Sequence, residues 1–386
     1  MTPFFHDPFF LIPFFYSHLN YLRSRLFTCC KIILAIYDFT QGIIVNQHTL
    51  NYSTQAIDDL LSRVKDYEVE MPKTARNIER IVALLQKAIK FYLPDNGELF
   101  DDGYRAMPAV FRLPYPVVAA EFKITNPLNN TPLGMQDEEI DASSKRIALA
   151  IEINAENFDA YSWMLPPDKF DDEYTLITLD GAIAIIPVYF VDARQYWAIP
   201  PFGIVIPARK IEISAQVIAN TKRVFSGELP KDRKLLPFEL HATYIMPEYA
   251  QKLRDKRGSE YTCVLASQDC TGESQAILGL IETLSCKNVV IDSIQAPKAL
   301  NKKREIKGKT PFFEYKVLLL NSQKSIASSV TEKGGNHVSP RVHLRRGHIR
   351  RLLNKNIWVN ATIVGNSKAG VVIKDYTIKT SGLENN

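Results

Sequence analysis

Between residues 114 and 207 the chain carries five apolar runs without an alternating helical pattern between them. They are PYPVVAAEFKI (114–124), KRIALAIEI (145–153), TLITL (175–179), AIAIIPVYFV (182–191) and FGIVIP (202–207). β-Branched and aromatic residues dominate them, and Gly, Pro, Asn and Asp punctuate the gaps. Parallel strands need long crossover connections, usually helical. Short connections therefore favour a mostly antiparallel sheet. Asp180-Gly181 reads as a two-residue hairpin turn between two of these runs. Pro187 cannot donate to a ladder, which predicts an edge strand or a bulge at that position.

Helical periodicity flanks this block. Ile57, Leu60, Leu61 and Val64 share one face of residues 53–67, with Ser53 as the expected cap. Ile78, Ile81, Val82, Leu85, Ile89 and Tyr92 line one face of residues 74–92, and Lys and Arg fill the other. Ala276, Ile277, Leu280, Ile281 and Leu284 predict a third helix over 271–284. Residues 288–294 and 312–320 read as strands joined by a long basic loop, and 321–335 as a linker. His241 falls in a strand-like run and reads as a structural residue. The expected class is α+β: a mostly antiparallel sheet with flanking helices, then a basic C-terminal module ending in a β-hairpin.

The N-terminal 70 residues are rich in Phe but lack the marks of a leader or an anchor. The first basic residue is Arg23, Pro8 and Pro13 break the apolar run, and Lys31 splits residues 26–37. Met71 opens a strongly helical stretch, so residues 1–70 read as an N-terminal extension. The expected division is 1–70 extension, 71–296 α+β body, 297–380 basic module and 381–386 tail. Five scattered cysteines (Cys29, Cys30, Cys263, Cys270, Cys286) form neither a disulfide framework nor a zinc pattern. That usage points to a reducing cytoplasm, and Cys286 to a small buried hydrophobe.

Charge is distributed unevenly. Residues 298–379 hold eighteen Lys and Arg against four acids, a surplus of +14, so the rest of the chain carries −9 within the total of +5. No acid interrupts residues 333–374, and Arg341, Arg345, Arg346, Arg350 and Arg351 fall within eleven positions. A guanidinium grips phosphate through two hydrogen bonds and stacks on bases. Gly347 discourages a continuous helix, and a turn there would let Arg345 and Arg346 converge on one anion. Residues 356–365 and 370–378 read as a closing hairpin whose Trp358 and Tyr376 offer stacking faces. Lys302, Lys303 and Arg304, with Lys307 and Lys309, extend the basic surface. The implied partner is RNA.

His343 and His348 supply an alternative chemistry, the acid and base of a metal-independent ribonuclease with arginines stabilising the transition state. A third reading is a protein-interaction module that meets an acidic partner. Nucleotide-binding, zinc-protease and serine-hydrolase signatures are missing, which leaves no cofactor and no metal to expect. The acidic runs at 137–141 and 168–173 read as solvated loops.

The run His343-Leu344-Arg345-Arg346-Gly347-His348 resembles an H-x-R-R-G-H motif, followed by a basic and aromatic hairpin, near the C-terminus of a phage-encoded family. The family's known member is an anti-CRISPR protein directed against the type V-A nuclease. Residues 113–122, LPYPVVAAEF, are similar to an apolar strand ending in an acid in that family. Val342 stands where the family has Pro, and Ile349 where it has an aromatic. The resemblance implies a mobile-element accessory protein that lowers production of a nuclease through its transcript and nascent N-terminal segment. RNA and a ribosome-associated nascent chain are then the expected partners, with no integral membrane anchor and no small-molecule cofactor.

Overall fold

The apolar runs at 114–124, 145–153, 182–191 and 202–207 form the centre of one sheet. The computed structural model describes residues 50–371, except 100–106, 109, 126–141, 165–179, 210–211, 213–214, 216–217, 220–237, 239, 259–260, 262–263, 265, 268, 321–340, 346–347, 354, 360–361 and 365. Two helices, α1 (Tyr52–Tyr67) and α2 (Pro72–Lys87), lead into β1 (Ile89–Tyr92), β2 (Val117–Lys123) and β3 (Lys145–Ile153). A short α3 (Phe158–Tyr161) precedes β4 (Ala182–Val191), β5 (Tyr196–Ala198), β6 (Phe202–Pro207) and β7 (His241–Tyr244). Helices α4 (Pro247–Arg257) and α5 (Thr271–Leu284), β8 (Val289–Ile294), α6 (Lys298–Ile306) and β9 (Tyr315–Leu320) follow.

The nine-stranded sheet runs β7-β6-β4-β3-β2-β1-β9-β8, with β5 paired to β4. Only β1 is parallel to its neighbours, β2 and β9; the other pairings in this sheet are antiparallel. The fold is therefore α+β with a mostly antiparallel mixed sheet. Alternation along β3 assigns the layers. Ile147, Leu149 and Ile151 face the core shared with α1 and α2, whereas Ala148 and Ala150 face the core shared with α5. Helices thus cover both faces, which is why the central strands read as continuous apolar runs.

Several local expectations change. The strand preceding Asp180-Gly181 lies outside the described residues, as do the 321–335 linker, the two acidic runs and the 381–386 tail. Pro187 sits in an interior strand, opposite Ala148. On its other side β6 pairs with residues 182–185 and β5 with 189–191, so Pro187 occupies the gap between two partners and no ladder bond is lost there. The helix predicted to reach residue 92 stops at Lys87, and Ile89 and Tyr92 belong to β1. The residues predicted as a basic loop contain α6.

The division at residue 70 does not hold, because Thr49–Asn386 forms one compact unit. Tyr52, Ala56, Ile57, Leu60 and Val64 of α1 are buried in the α1–α2 core. The Tyr52 ring lies 5.3 Å from that of Trp197. The division at 296 fails too, since β9 sits inside the main sheet between β1 and β8.

Distant charged residues close the helix ends. Ser53 lies inside α1 and is not its cap. Glu121 of β2 instead accepts the Tyr52 and Ser53 N–H groups at 2.9 and 2.8 Å, and the Tyr315 hydroxyl at 2.7 Å. Burial pushes its carboxyl upward against those hydrogen bonds. Glu248 of α4 caps α2, accepting the Lys73 and Thr74 N–H groups at 2.7 and 3.1 Å. At the other end of α2, buried Lys90 donates to the carbonyls of Leu85 (2.6 Å), Gln86 (3.3 Å) and Ala88 (2.7 Å), with its Nζ 3.6 Å from the Phe313 ring centroid. Burial brings the Lys90 amine down from 10.5 to about 8.

Two outcomes follow from this packing. A chain beginning at Met71 loses α1, whose Ile57, Leu60 and Val64 contribute roughly 1.5–3 kcal/mol each on burial, against a total stability of about 5–15 kcal/mol. It should lose its cooperative melting transition, read by circular dichroism. The second concerns pH. Between about 8 and 10.5 the unfolded chain holds the Lys90 proton and the folded chain does not, so stability rises with pH across that window. Burial raises the Tyr52, Tyr92 and Tyr315 hydroxyls, whose contribution is lost as pH climbs beyond 10. Stability should peak between about pH 9 and 10. Lys90→Met should remove the rise, at most on the order of 3 kcal/mol, in urea titrations run across that range.

Candidate nucleic-acid interface

The C-terminal basic residues occupy α6 and a set of short strands: β10 (Arg341–Arg345), β11 (His348–Leu352), β12 (Lys355–Val359), β13 (Thr362–Val364) and β14 (Asn366–Val371). The arginine stretch itself forms the hairpin. β11 pairs antiparallel with β12, placing Ile349 opposite Trp358 and Arg351 opposite Asn356. The predicted pairing of 356–365 with 370–378 is therefore corrected. β13 and β14 instead flank β10, and Tyr376 lies outside the described residues. Leu352 pairs with Lys355, so only two residues connect the strands, and so short a connection favours the nearer partner.

For β10, β13, β14 and His348 the structure describes the backbone path. His343 pairs with Val364 and Arg345 with Thr362, while Arg341 pairs with Asn366. His343 and His348 thus belong to strands of two different sheets. Arg346 and Gly347, between them, lie outside the described residues.

On α6, Lys302 and Lys303 are exposed, as are Lys298, Lys307 and Lys309 around it. Arg304 has a different role. It bonds Asp58 of α1 (Nη2 to Oδ2, 2.9 Å), donates from Nε to the Thr310 carbonyl at 2.5 Å, and sits 4.6 Å from the Phe312 ring centroid. Asn301 exchanges two 2.8 Å hydrogen bonds with the Phe312 backbone, fixing the returning chain. These contacts fold a polar stretch without an apolar stripe into a helix, which periodicity could not reveal.

The hairpin is anchored to the end of α5. Arg351 Nη2 lies 2.9 Å from Glu282 Oε1, and Glu282 is fully buried although the Arg351 side chain is 62% exposed. The other Glu282 oxygen has no hydrogen-bond partner among the described residues. The Asn288 amide accepts the Trp358 N–H at 2.8 Å and donates to the Trp358 carbonyl at 2.7 Å, in the manner of a strand neighbour. Lys287 N–H donates to the Asn356 carbonyl at 3.1 Å, and Asn356 Nδ2 to Ser285 Oγ at 3.2 Å. Trp358 is buried in this dock, so it is not presented as a stacking face. Arg350 and Lys355 remain exposed, and Leu353 at the turn is fully so. Cys286 lies buried beside the anchor, its thiol pushed up to about 11 by burial and by Glu282.

Sequence reasoning missed Glu282, Asn288 and Asp58. Glu282 had a signal, a lone acid in the otherwise apolar AILGLIETL. Among the described residues no group of three His, Cys, Asp or Glu could hold a metal ion, and no helix is long and apolar enough to cross a membrane. Compared with family models, curated proteins and solved structures, the chain matches none.

Glu282→Gln removes one charge from the anchor, and Asn288→Ala removes both amide bonds. A charge-assisted hydrogen bond contributes about 1.5–3 kcal/mol. Either change should lower amide-exchange protection across 348–359 by roughly one to two orders of magnitude while protection in β2–β4 stays constant.

Proposed function

We propose that the protein contacts RNA through its C-terminal basic surface, with the β11–β12 hairpin held in a fixed pose by its dock on α5. The supporting observation is a set of exposed cations: Lys302 and Lys303 on α6, and Arg350 and Lys355 on the hairpin. Such side chains suit a phosphate backbone, where each neutralised phosphate releases counterions. Arg341 and Arg345 on β10, and Arg346 next to them in the sequence, add charge. Arg304 and Arg351 serve the scaffold, tied to Asp58 and Glu282. The resemblance at residues 343–348 extends this reading to a mobile-element accessory protein that lowers nuclease production, with the nuclease transcript as the RNA.

Affinity for a single-stranded RNA, followed by anisotropy at several salt concentrations, should fall with a log–log slope of about −0.7 per phosphate contacted. Arg345→Ala with Arg346→Ala, or Arg350→Ala with Lys355→Ala, should reduce affinity by roughly two orders of magnitude and flatten the slope. His343→Ala with His348→Ala should leave affinity nearly unchanged. RNA cleavage that this histidine pair abolishes would replace the binding reading with the ribonuclease one. Unaltered affinity in both basic double variants at physiological salt would overturn the proposal. Sequencing RNA crosslinked to the protein in its host identifies the transcript.

A further inference from the structure

Strand β8 ends the nine-stranded sheet. One of its edges is bonded to β9 along all six residues, and the other has no strand partner among the described residues. Backbone N–H and C=O groups on an open edge still require hydrogen bonds, which makes such an edge a template for another strand. Val290 and Ile291 are 41% and 39% exposed, and being consecutive they face opposite sides of the sheet. The exposed residues of the strand are thus apolar on both faces apart from Asp292, with half-buried Ser293 beside it.

Charge decides which strand fits. Lys287 is exposed at the start of β8, where β12 docks beside residues 286–288 and brings exposed Lys355 with it. Beyond the other end, α6 begins at Lys298 and exposes Lys302, Lys303, Lys307 and Lys309 against a single acid, Glu305. Antiparallel pairing with a second copy would lay the α6 end of each chain against the Lys287 end of the other. Like charges would then meet at both ends, which is how edge lysines prevent self-association. The same cations favour a strand with acidic ends.

We propose that the outer edge of β8 receives an extended, acid-flanked peptide segment of another polypeptide, as a tenth strand. Six residues at about 3.3 Å each give a ladder of roughly 20 Å. Main-chain hydrogen bonds hold the peptide. Apolar side chains at its centre cover Val290 and Ile291, a basic residue there meets Asp292, and acidic residues at its ends meet the lysines.

The probe is a synthetic peptide of alternating valine and threonine with a central lysine and two acidic residues at each end, added to the full-length protein without RNA. It should bind, and amide exchange at Val289–Ile294 should slow on binding. A twin with lysines at its ends should bind at least tenfold more weakly, and a version with prolines at alternate core positions should not bind. Val290→Glu and Ile291→Glu lie on an exposed edge and should weaken binding tenfold or more with unchanged circular dichroism. Exchange protection on the wild-type chain gives a readout that does not depend on how the variants fold. Four results would overturn the proposal: no binding at millimolar peptide, equal binding of the proline version, protection outside β8, or a dimer by light scattering whose interface protects β8.

Discussion

The Glu121 carboxylate joins three parts of the chain that are far apart in sequence. It stands on β2, closes the N-terminus of α1 through two backbone N–H groups, and receives the hydroxyl of Tyr315 from β9. A buried carboxylate is costly unless its oxygens are satisfied, and here three donors are directed at it. Removing any partner leaves a buried acceptor under-satisfied, so α1, β2 and β9 hold their places together or not at all. The position of β9 then fixes β8, and with it Asn288 and the dock for the arginine hairpin. The basic surface therefore depends on a carboxylate on the far side of β1.

The helix termini follow the same logic. Neither Asn51 nor Met71 supplies a side-chain cap for its helix. Glu121 and Glu248 do so from distant elements, and Lys90 collects the carbonyls at the end of α2. Opposite charges thus meet opposite ends of helix dipoles within the tertiary fold. Each cap exists only once the layers have assembled, which ties secondary structure to packing and favours an all-or-none transition.

This dependence sets what could be read from the sequence. Residues 271–284 form the predicted helix because an apolar face repeats every 3.6 residues. The runs at 145–153 and 182–191 form the predicted strands because their β-branched residues fit a pleat buried on both sides. Features that rest on long-range partners were not legible. The apolar face of α2 carries past Lys87 into β1, since Ile89 and Tyr92 also satisfy a helical period. Only Lys90 turning back onto the carbonyls shows where the helix stops. α6 has no apolar stripe to detect, and its order comes from Arg304 on Asp58 and Asn301 on Phe312. At the candidate site the density of arginine was plain, but their different roles were not. Composition counts Arg304 and Arg351 with the others, whereas their acidic partners lie 246 and 69 residues away.

That difference in roles bears on how a basic surface is built. Arginines that only solvated a face would need no fixed geometry. Here Arg351 spends its charge on a fully buried Glu282, and the Asn288 amide substitutes for a neighbouring strand to hold the Trp358 backbone. Burying Trp358 and Glu282 removes a stacking face and a counter-charge from the surface, leaving Arg350 and Lys355 on a strand pair whose orientation is set by the α5 core. Glu282→Gln distinguishes a scaffolded surface from a diffuse one by the sign of its effect. Simple charge counting says that losing an acid tightens polyanion binding. If the pose of the hairpin governs binding, the same change loosens it, because the cations are then presented over a spread of orientations that ordering must reverse. Measuring RNA affinity for this one variant, beside its amide exchange, decides between the two: tighter binding assigns the surface to bulk charge, and weaker binding to geometry.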